Sequence, residues 1–130
     1  MQPVERQAQP VAGVPCVSVY TRVYYMVNFS WDERKSDANL RLRGFDFAFA
    51  SLIFNERTFT RQDDRRDYGE IRMIAVGRVD LDYLTVVYTD RPQGDQQERR
   101  IISARRSNRR ERTDYDQDIQ ARQETEPRPR

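Results

Sequence analysis

Arg99-Arg100-Ile101-Ile102-Ser103-Ala104-Arg105-Arg106-Ser107-Asn108-Arg109-Arg110-Glu111-Arg112 holds a strand and the start of a helix within fourteen residues. The apolar and small residues Ile101 to Ala104 read as the middle of a strand from Arg99 to Arg105. Asn108 and Glu111 stand three apart, the spacing of a capping box, which predicts a helix starting there and running to about Ala121. Seven arginines flank this junction and Glu111 is its only acid, while the whole chain carries a net charge of just +2. The positive charge is therefore concentrated here. Guanidinium groups fork onto phosphate oxygens, stay protonated and stack on bases, so the junction is a candidate phosphodiester site. The alternative is a solvated basic face. Alternation along a regular strand puts Arg100 with Ile102 and Ala104, and Arg105 with Ile101 and Ser103. A bulge, or the turn into the helix, is needed to bring Arg100 and Arg105 to one side, and Arg105 stands where the strand ends and the backbone is free to turn.

Working back from this stretch, Arg91 to Asp95 reads as a loop and Tyr83 to Thr89, rich in β-branched and aromatic residues, as a central strand. Arg78-Val79-Asp80 is a hairpin spacer. Glu70 to Gly77 alternates as a strand, Asp63 to Asp67 is a charged turn, and Thr58 to Arg61 is a weak strand. Val27 to Phe29 is a short first strand. Ser30 with Glu33 has capping-box spacing, with Asp32 as an alternative cap, and the helix that follows reaches about Arg43. Gly44 suits the left-handed position that ends it. Asp46 caps a second, short helix whose apolar face is Phe47, Ala50, Ile53 and Phe54. Trp31 reads as a core anchor between helix and sheet rather than a platform for stacking bases. The order is β-α-α-β-β-β-β-α. It predicts an α+β fold with an antiparallel sheet of four to five strands, two N-terminal helices and one C-terminal helix, the helices packed on one face.

The bulk properties narrow the classes. A chain of 130 residues supports one domain, and 34% charged residues implies unpacked stretches. We expect an N-terminal extension over 1–25, a single domain over 26–121 and a disordered tail over 122–130. Met26, just before the first strong pattern, is the expected natural start. A single cysteine, Cys16, allows no intramolecular disulfide. No apolar run reaches the ~20 residues that a bilayer requires, and the N-terminal stretch lacks a basic leader, so the expected location is the cytoplasm, with no membrane partner. The chain has no histidine, and 22 of its 23 basic residues are arginine. That excludes a His general base, a Ser-His-Asp triad and a His-ligated zinc. Lys35 is the one cation able to lose its proton near neutral pH when desolvated.

Four strings in order resemble one family, the BrnT toxins. FSWDERKSDANLRLRGFDFAFA resembles the family's opening of Trp-Asp-x-x-Lys, an Asn, Lys-His-Gly, then Phe and Ala. DYGEIR resembles its Tyr-Gly-Glu-x-Arg. VVYTDR and RIISARRSNRRER resemble its strand and its Arg-Ile-Ile-Ser-Ala-Arg approach to the last helix. The resemblance covers about residues 26–115. It implies a RelE-like fold, a ribonuclease toxin, and a BrnA-like ribbon-helix-helix antitoxin that forms a tight complex and itself carries the contact with operator DNA. Leu42-Arg43-Gly44 departs from the family's Lys-His-Gly, so both the lysine and the histidine are missing there.

Ribonucleases without a metal use the RNA 2′-OH as nucleophile. The site then has to remove its proton, stabilise the phosphorane charge and protonate the departing 5′-oxygen. Without histidine, the proton transfers fall to Lys35, Glu70 or Tyr68, and charge stabilisation to Arg72, Arg100 and Arg105. Glu70 and Arg72, two apart, share a strand face. The candidate catalytic set is Lys35, Glu70, Arg72 and Arg105; the candidate RNA-binding set is Tyr68, Arg43, Arg100 and Arg109; no cofactor or metal is expected. The competing structural readings are a plain surface ion pair for Glu70 and Arg72, a helix-surface stem for Lys35, a lid for Tyr68, and either a solvated position or antitoxin contact for Arg106, Arg109 and Arg112. The competing function is a weakened toxin that serves only as an antitoxin-binding co-repressor.

Overall fold

A computed structural model describes residues 27–65 and 67–125. The expected extension over 1–25 and residues 126–130 of the expected tail lie outside the described residues. Strand β1 (Val27–Trp31) leads into helix α1 (Glu33–Arg43), a short helix α2 (Phe47–Ala50) and a 3-10 turn (Ser51–Asn55). Strands β2 (Phe59–Asp63), β3 (Arg72–Val79), β4 (Asp82–Gln93) and β5 (Gln96–Arg106) follow, then helix α3 (Arg109–Thr125). The element order matches the one read from the sequence.

The five strands form one sheet in the order β1-β5-β4-β3-β2. From β2 to β5 each strand pairs antiparallel with its neighbour, as short connections require. β1 is added parallel to β5, with Val27 opposite Gln97 and Trp31 opposite Ile101. A strand separated from its partner by the rest of the sheet is free to enter in either direction, so the sheet is mixed.

Local chemistry sets the element ends. Asp32 caps α1, its carboxylate accepting from the Arg34 backbone N–H at 2.9 Å. Gly44 ends that helix at φ 88°, a conformation that costs a residue with a side chain energy. Asp46 caps α2 through the Phe49 N–H. The Asn108–Glu111 capping box is complete: the Asn108 side chain accepts from the Glu111 N–H at 2.8 Å and Glu111 accepts from the Asn108 N–H at 2.9 Å. α3 runs past the expected Ala121 to Thr125. The Arg91–Asp95 loop is shorter than expected, because β4 continues to Gln93 and turns on Gly94 at φ 62°. Pro92 is tolerated in the strand because β3 begins only at Arg72 and leaves that stretch of β4 without a neighbour on its side.

The core lies on one face of the sheet. Ala75, Leu84, Val86, Tyr88, Ile101 and Ala104 pack there beneath Trp31, Phe45, Phe47, Ala50 and Ile53. Full burial of each large apolar side chain contributes about 1.5–3 kcal/mol. Trp31 is 7% exposed, a core anchor as expected. α3 does not join this layer, contrary to the expectation of helices on a single face. Its Tyr115 meets Tyr83 edge-on at 5.8 Å, and its Glu111 meets Thr85, both on the opposite side of β4 from Leu84 and Val86. A short Ser107-Asn108 link off the end of β5 delivers the helix to that second face.

Candidate functional site

The second face is defined by alternate residues of β4: Tyr83, Thr85, Val87 and Thr89. Their partners on β5 are Arg105 opposite Thr85, Ser103 opposite Val87 and Arg100 opposite Thr89. The register slips between Val87 and Tyr88, so that Ile102 is left without a partner. This is a β-bulge of one residue, and it reverses the alternation within β5. Ile101 and Ala104, three apart, both enter the core, while Arg100 and Arg105, five apart, both reach the other face. The bulge rather than the terminal turn brings the two arginines together.

β3 and β2 extend this face. Arg72 pairs with Asp63, Ile74 with Arg61 and with Val87. Glu70 accepts from the Arg72 Nε at 3.3 Å and lies 4.0 Å from Arg91. The Arg72 guanidinium stacks 4.1 Å over the Tyr68 ring. The Tyr68 hydroxyl donates to Asp63 at 3.2 Å, and Asp63 also takes a two-point fork from Arg65 at 2.8 and 2.9 Å. The Arg65 fork holds the buried Asp63 carboxyl well below the usual carboxylate range. Tyr68, Glu70, Arg72, Arg100 and Arg105 thus share one face. Among the described residues, the guanidinium groups of Arg61 and Arg100 make no hydrogen bond or ion pair.

Arg105 is held by Glu111, with Nη1 to Oε1 and Nη2 to Oε2 both at 2.8 Å. The fork raises the Arg105 pKa and holds the Glu111 carboxyl at about 2, against the partial burial of both groups. Glu111 also takes the Thr85 hydroxyl at 3.1 Å, and Thr85 shares a 2.7 Å hydrogen bond with Ser107. Beside this network, α3 and the sheet enclose a cleft of about 420 Å³. Its floor is Phe59, Ile74 and Val76, and Arg61 and Arg110 stand at its sides.

Three candidates stand elsewhere. Lys35 is an exposed residue of α1, which packs with α2 on the core side, and among the described residues it has no bonded partner. Arg43 ties the end of α1 to β5: Nη1 donates to the Ala104 carbonyl at 2.6 Å and to Asn39 at 3.2 Å, and its own carbonyl accepts from Arg106. Arg109 opens α3, exposed and, among the described residues, without a side-chain partner. Two participants were not read from the sequence as site residues, Arg61 and Glu111. Arg61 sits in a strand too weakly patterned to assign it a face. Glu111 was legible as a helix cap, but its second partner, Arg105, depends on the bulge.

Among the described residues, no three His, Cys, Asp or Glu side chains gather as metal ligands. None of the described helices is long and apolar enough to cross a membrane. The arrangement offers what phosphoryl chemistry on RNA requires: several guanidinium groups on one face, an aromatic ring, a carboxylate, and beside them a cleft with an apolar floor and charged walls.

Comparison with known families gives one match: the family described as the ribonuclease toxin, BrnT, of type II toxin–antitoxin systems fits residues 31–111. No curated protein matches the chain.

Proposed function

The chain belongs to the BrnT family of ribonuclease toxins of type II toxin–antitoxin systems, and from that premise we propose that it cleaves RNA on the sheet face that carries Arg72, Arg100 and Arg105. The observation that carries this reading is the bulge at Ile102, which turns two arginines of one strand toward Arg72 on β3. The 2′-OH attacks the adjacent phosphorus, the 5′-oxygen leaves, and no metal is used. Arg72, Arg100 and Arg105 stabilise the negative charge that builds on the phosphorane oxygens. Glu70, beside Arg72, takes the 2′-OH proton, and the Tyr68 hydroxyl, released from Asp63, protonates the 5′-oxygen. Each such proton transfer is worth ~10²–10⁴-fold in rate. The cleft between α3 and β2–β3 suits an unstacked base, with Arg61 and Arg110 on the flanking phosphates. Lys35, on the other layer, has no part in this arrangement.

The partner is an antitoxin protein, proposed as a BrnA-like ribbon-helix-helix chain that covers the cationic face and blocks phosphate from reaching Arg105. It also carries the contact with operator DNA. Such a complex works where RNA is made, in the cytoplasm.

Induced expression of the chain alone tests the reading. The expected result is growth arrest with loss of mRNA, relieved by Arg72→Ala or Arg105→Ala. Normal growth of cells making the folded, unaltered chain contradicts it. A second reading, a weakened toxin that acts as co-repressor, is favoured by Arg43, which stands where the family has histidine and spends its guanidinium on a backbone carbonyl. Arg43→His separates the two. A weakened toxin gains rate, with a new pH dependence near 6.5; a site that already has its own acid and base gains none.

A further inference from the structure

We propose that Glu111 is a positioning residue for RNA cleavage: anchored by two hydrogen bonds of its own, it clamps one edge of the Arg105 guanidinium and so presents the other edge to a substrate phosphate. The inference rests on the reading of Arg105 as part of the RNA site.

The geometry separates this pair from an ordinary surface ion pair, in which two flexible side chains share a contact that contributes little. Glu111 is fixed independently of Arg105. Its Oε1 accepts the Asn108 backbone N–H at the start of α3 and the Thr85 hydroxyl from the middle strand of the sheet. Thr85 is 1% exposed and braced by Ser107, itself 6% exposed. The side chain of Glu111 is 13% exposed and that of Arg105 is 45% exposed. The less exposed member is therefore fixed by its own bonds, and the more exposed member is held by it.

The choice of atoms matters as much as the anchoring. A guanidinium has five N–H donors and two edges on which a pair of oxygens fits. Glu111 takes the distal edge, Nη1 and Nη2. The side edge, made of Nε–H and the second Nη2 hydrogen, has no bonded partner among the described residues. That edge is the one Arg65 and Arg99 use on their carboxylates. It fits two oxygens of a phosphodiester in the same way. Without Glu111 the long side chain would sample many orientations, and a misplacement of about 1 Å in a catalytic contact costs ~10²-fold in rate.

The test uses the full-length chain, freed of its antitoxin, acting on a single-stranded RNA oligonucleotide of mixed sequence. kcat and KM are measured for the parent, Arg105→Ala, Glu111→Gln and the double variant, and melting curves confirm that each is folded. Gln keeps the capping oxygen and loses the charged fork. The expected result is a ~10–100-fold fall in kcat for Glu111→Gln, with KM within about twofold, and no further fall when it is added to Arg105→Ala. If Glu111→Gln does not fold, Thr85→Val carries the test by removing one anchor. Its kcat should fall several-fold, and the fall should vanish in the Arg105→Ala background. Parent-like kcat for Glu111→Gln, or for Thr85→Val standing in for it, while Arg105→Ala is impaired, overturns the positioning role and leaves the site reading intact. Losses that multiply in the double variant overturn it as well. Parent-like cleavage by Arg105→Ala removes Arg105 from the site, and the positioning role with it.

Discussion

Arg99 and Arg105 stand six residues apart on β5 and do different work, because the bulge between them sends them to opposite faces. Arg99 lies 4.7 Å from the Phe54 ring and 4.4 Å from the Tyr88 ring, and forks onto Asp90 at 2.8 and 2.9 Å. It closes the rim of the core, so Arg99→Ala should cost about 1–2 kcal/mol of stability, from lost cation–π contact and ion pairing. Urea unfolding measures it, and RNA binding at matched temperature should change little. Glu111 makes a pH prediction. Its carboxyl is held at about 2 in the folded chain, against 4.5 for a free group. A depressed carboxylate stabilises the fold above its unfolded pKa, and that stability is lost as pH falls through about 4.5 toward 2. The melting temperatures of the parent and of Glu111→Gln should therefore differ at pH 7 and converge toward pH 2; a difference independent of pH would mean that the fork contributes nothing.

Most elements that depend on neighbours in sequence were legible, although Ser30 lies in β1 bonded to Glu98 and leaves the capping of α1 to Asp32; those that depend on neighbours in space were not. The Asn108–Glu111 box, the Asp46 cap and the Gly44 stop each involve residues within four positions, and each formed as read. The parallel entry of β1 beside β5, the strand past Pro92 and the second face for α3 are set by partners tens of residues away. The site shows the same division. Arg72, Arg100 and Arg105 were named from their chemistry, and the need for a bulge or turn was clear from alternation, but its position at Ile102 depends on the register with β4. The tie from Arg43, a candidate RNA contact, to the Ala104 carbonyl joins residues sixty-one positions apart and belongs with these. A packing constraint hidden in the sequence is Gly77 on β3. A Cβ there would lie 2.7 Å from the Ile53 Cβ and 3.1 Å from a Thr58 methyl. Gly77→Ala should force the 3-10 turn off the sheet and cost about 1–3 kcal/mol, read as a lower denaturation midpoint. A parent-like midpoint would mean that the turn moves freely.

At the scale of the molecule, the sheet divides the labour. One face buries the aromatic and aliphatic core under α1, α2 and the 3-10 turn; the other gathers arginines beside α3. We propose that this arginine-bearing face meets both an RNA backbone and an antitoxin with a complementary charge. One surface would then account for substrate binding and for inhibition. Co-expression with the antitoxin should give a larger complex that no longer cleaves RNA. A complex that forms and still cleaves would place the antitoxin elsewhere.

The central claim is that RNA phosphates bind the face of Arg72, Arg100 and Arg105, and the salt dependence of RNA binding tests it most directly. Each phosphate neutralised on a single strand steepens the log–log slope by about 0.7. Alanine at each of the three positions should flatten the slope by about that amount. Arg106→Ala should leave it unchanged, because that guanidinium stacks 5.3 Å from the Phe45 ring and bonds the Arg43 carbonyl on the core side. Unchanged slopes for all three variants, or an equal flattening by Arg106→Ala, would contradict the account.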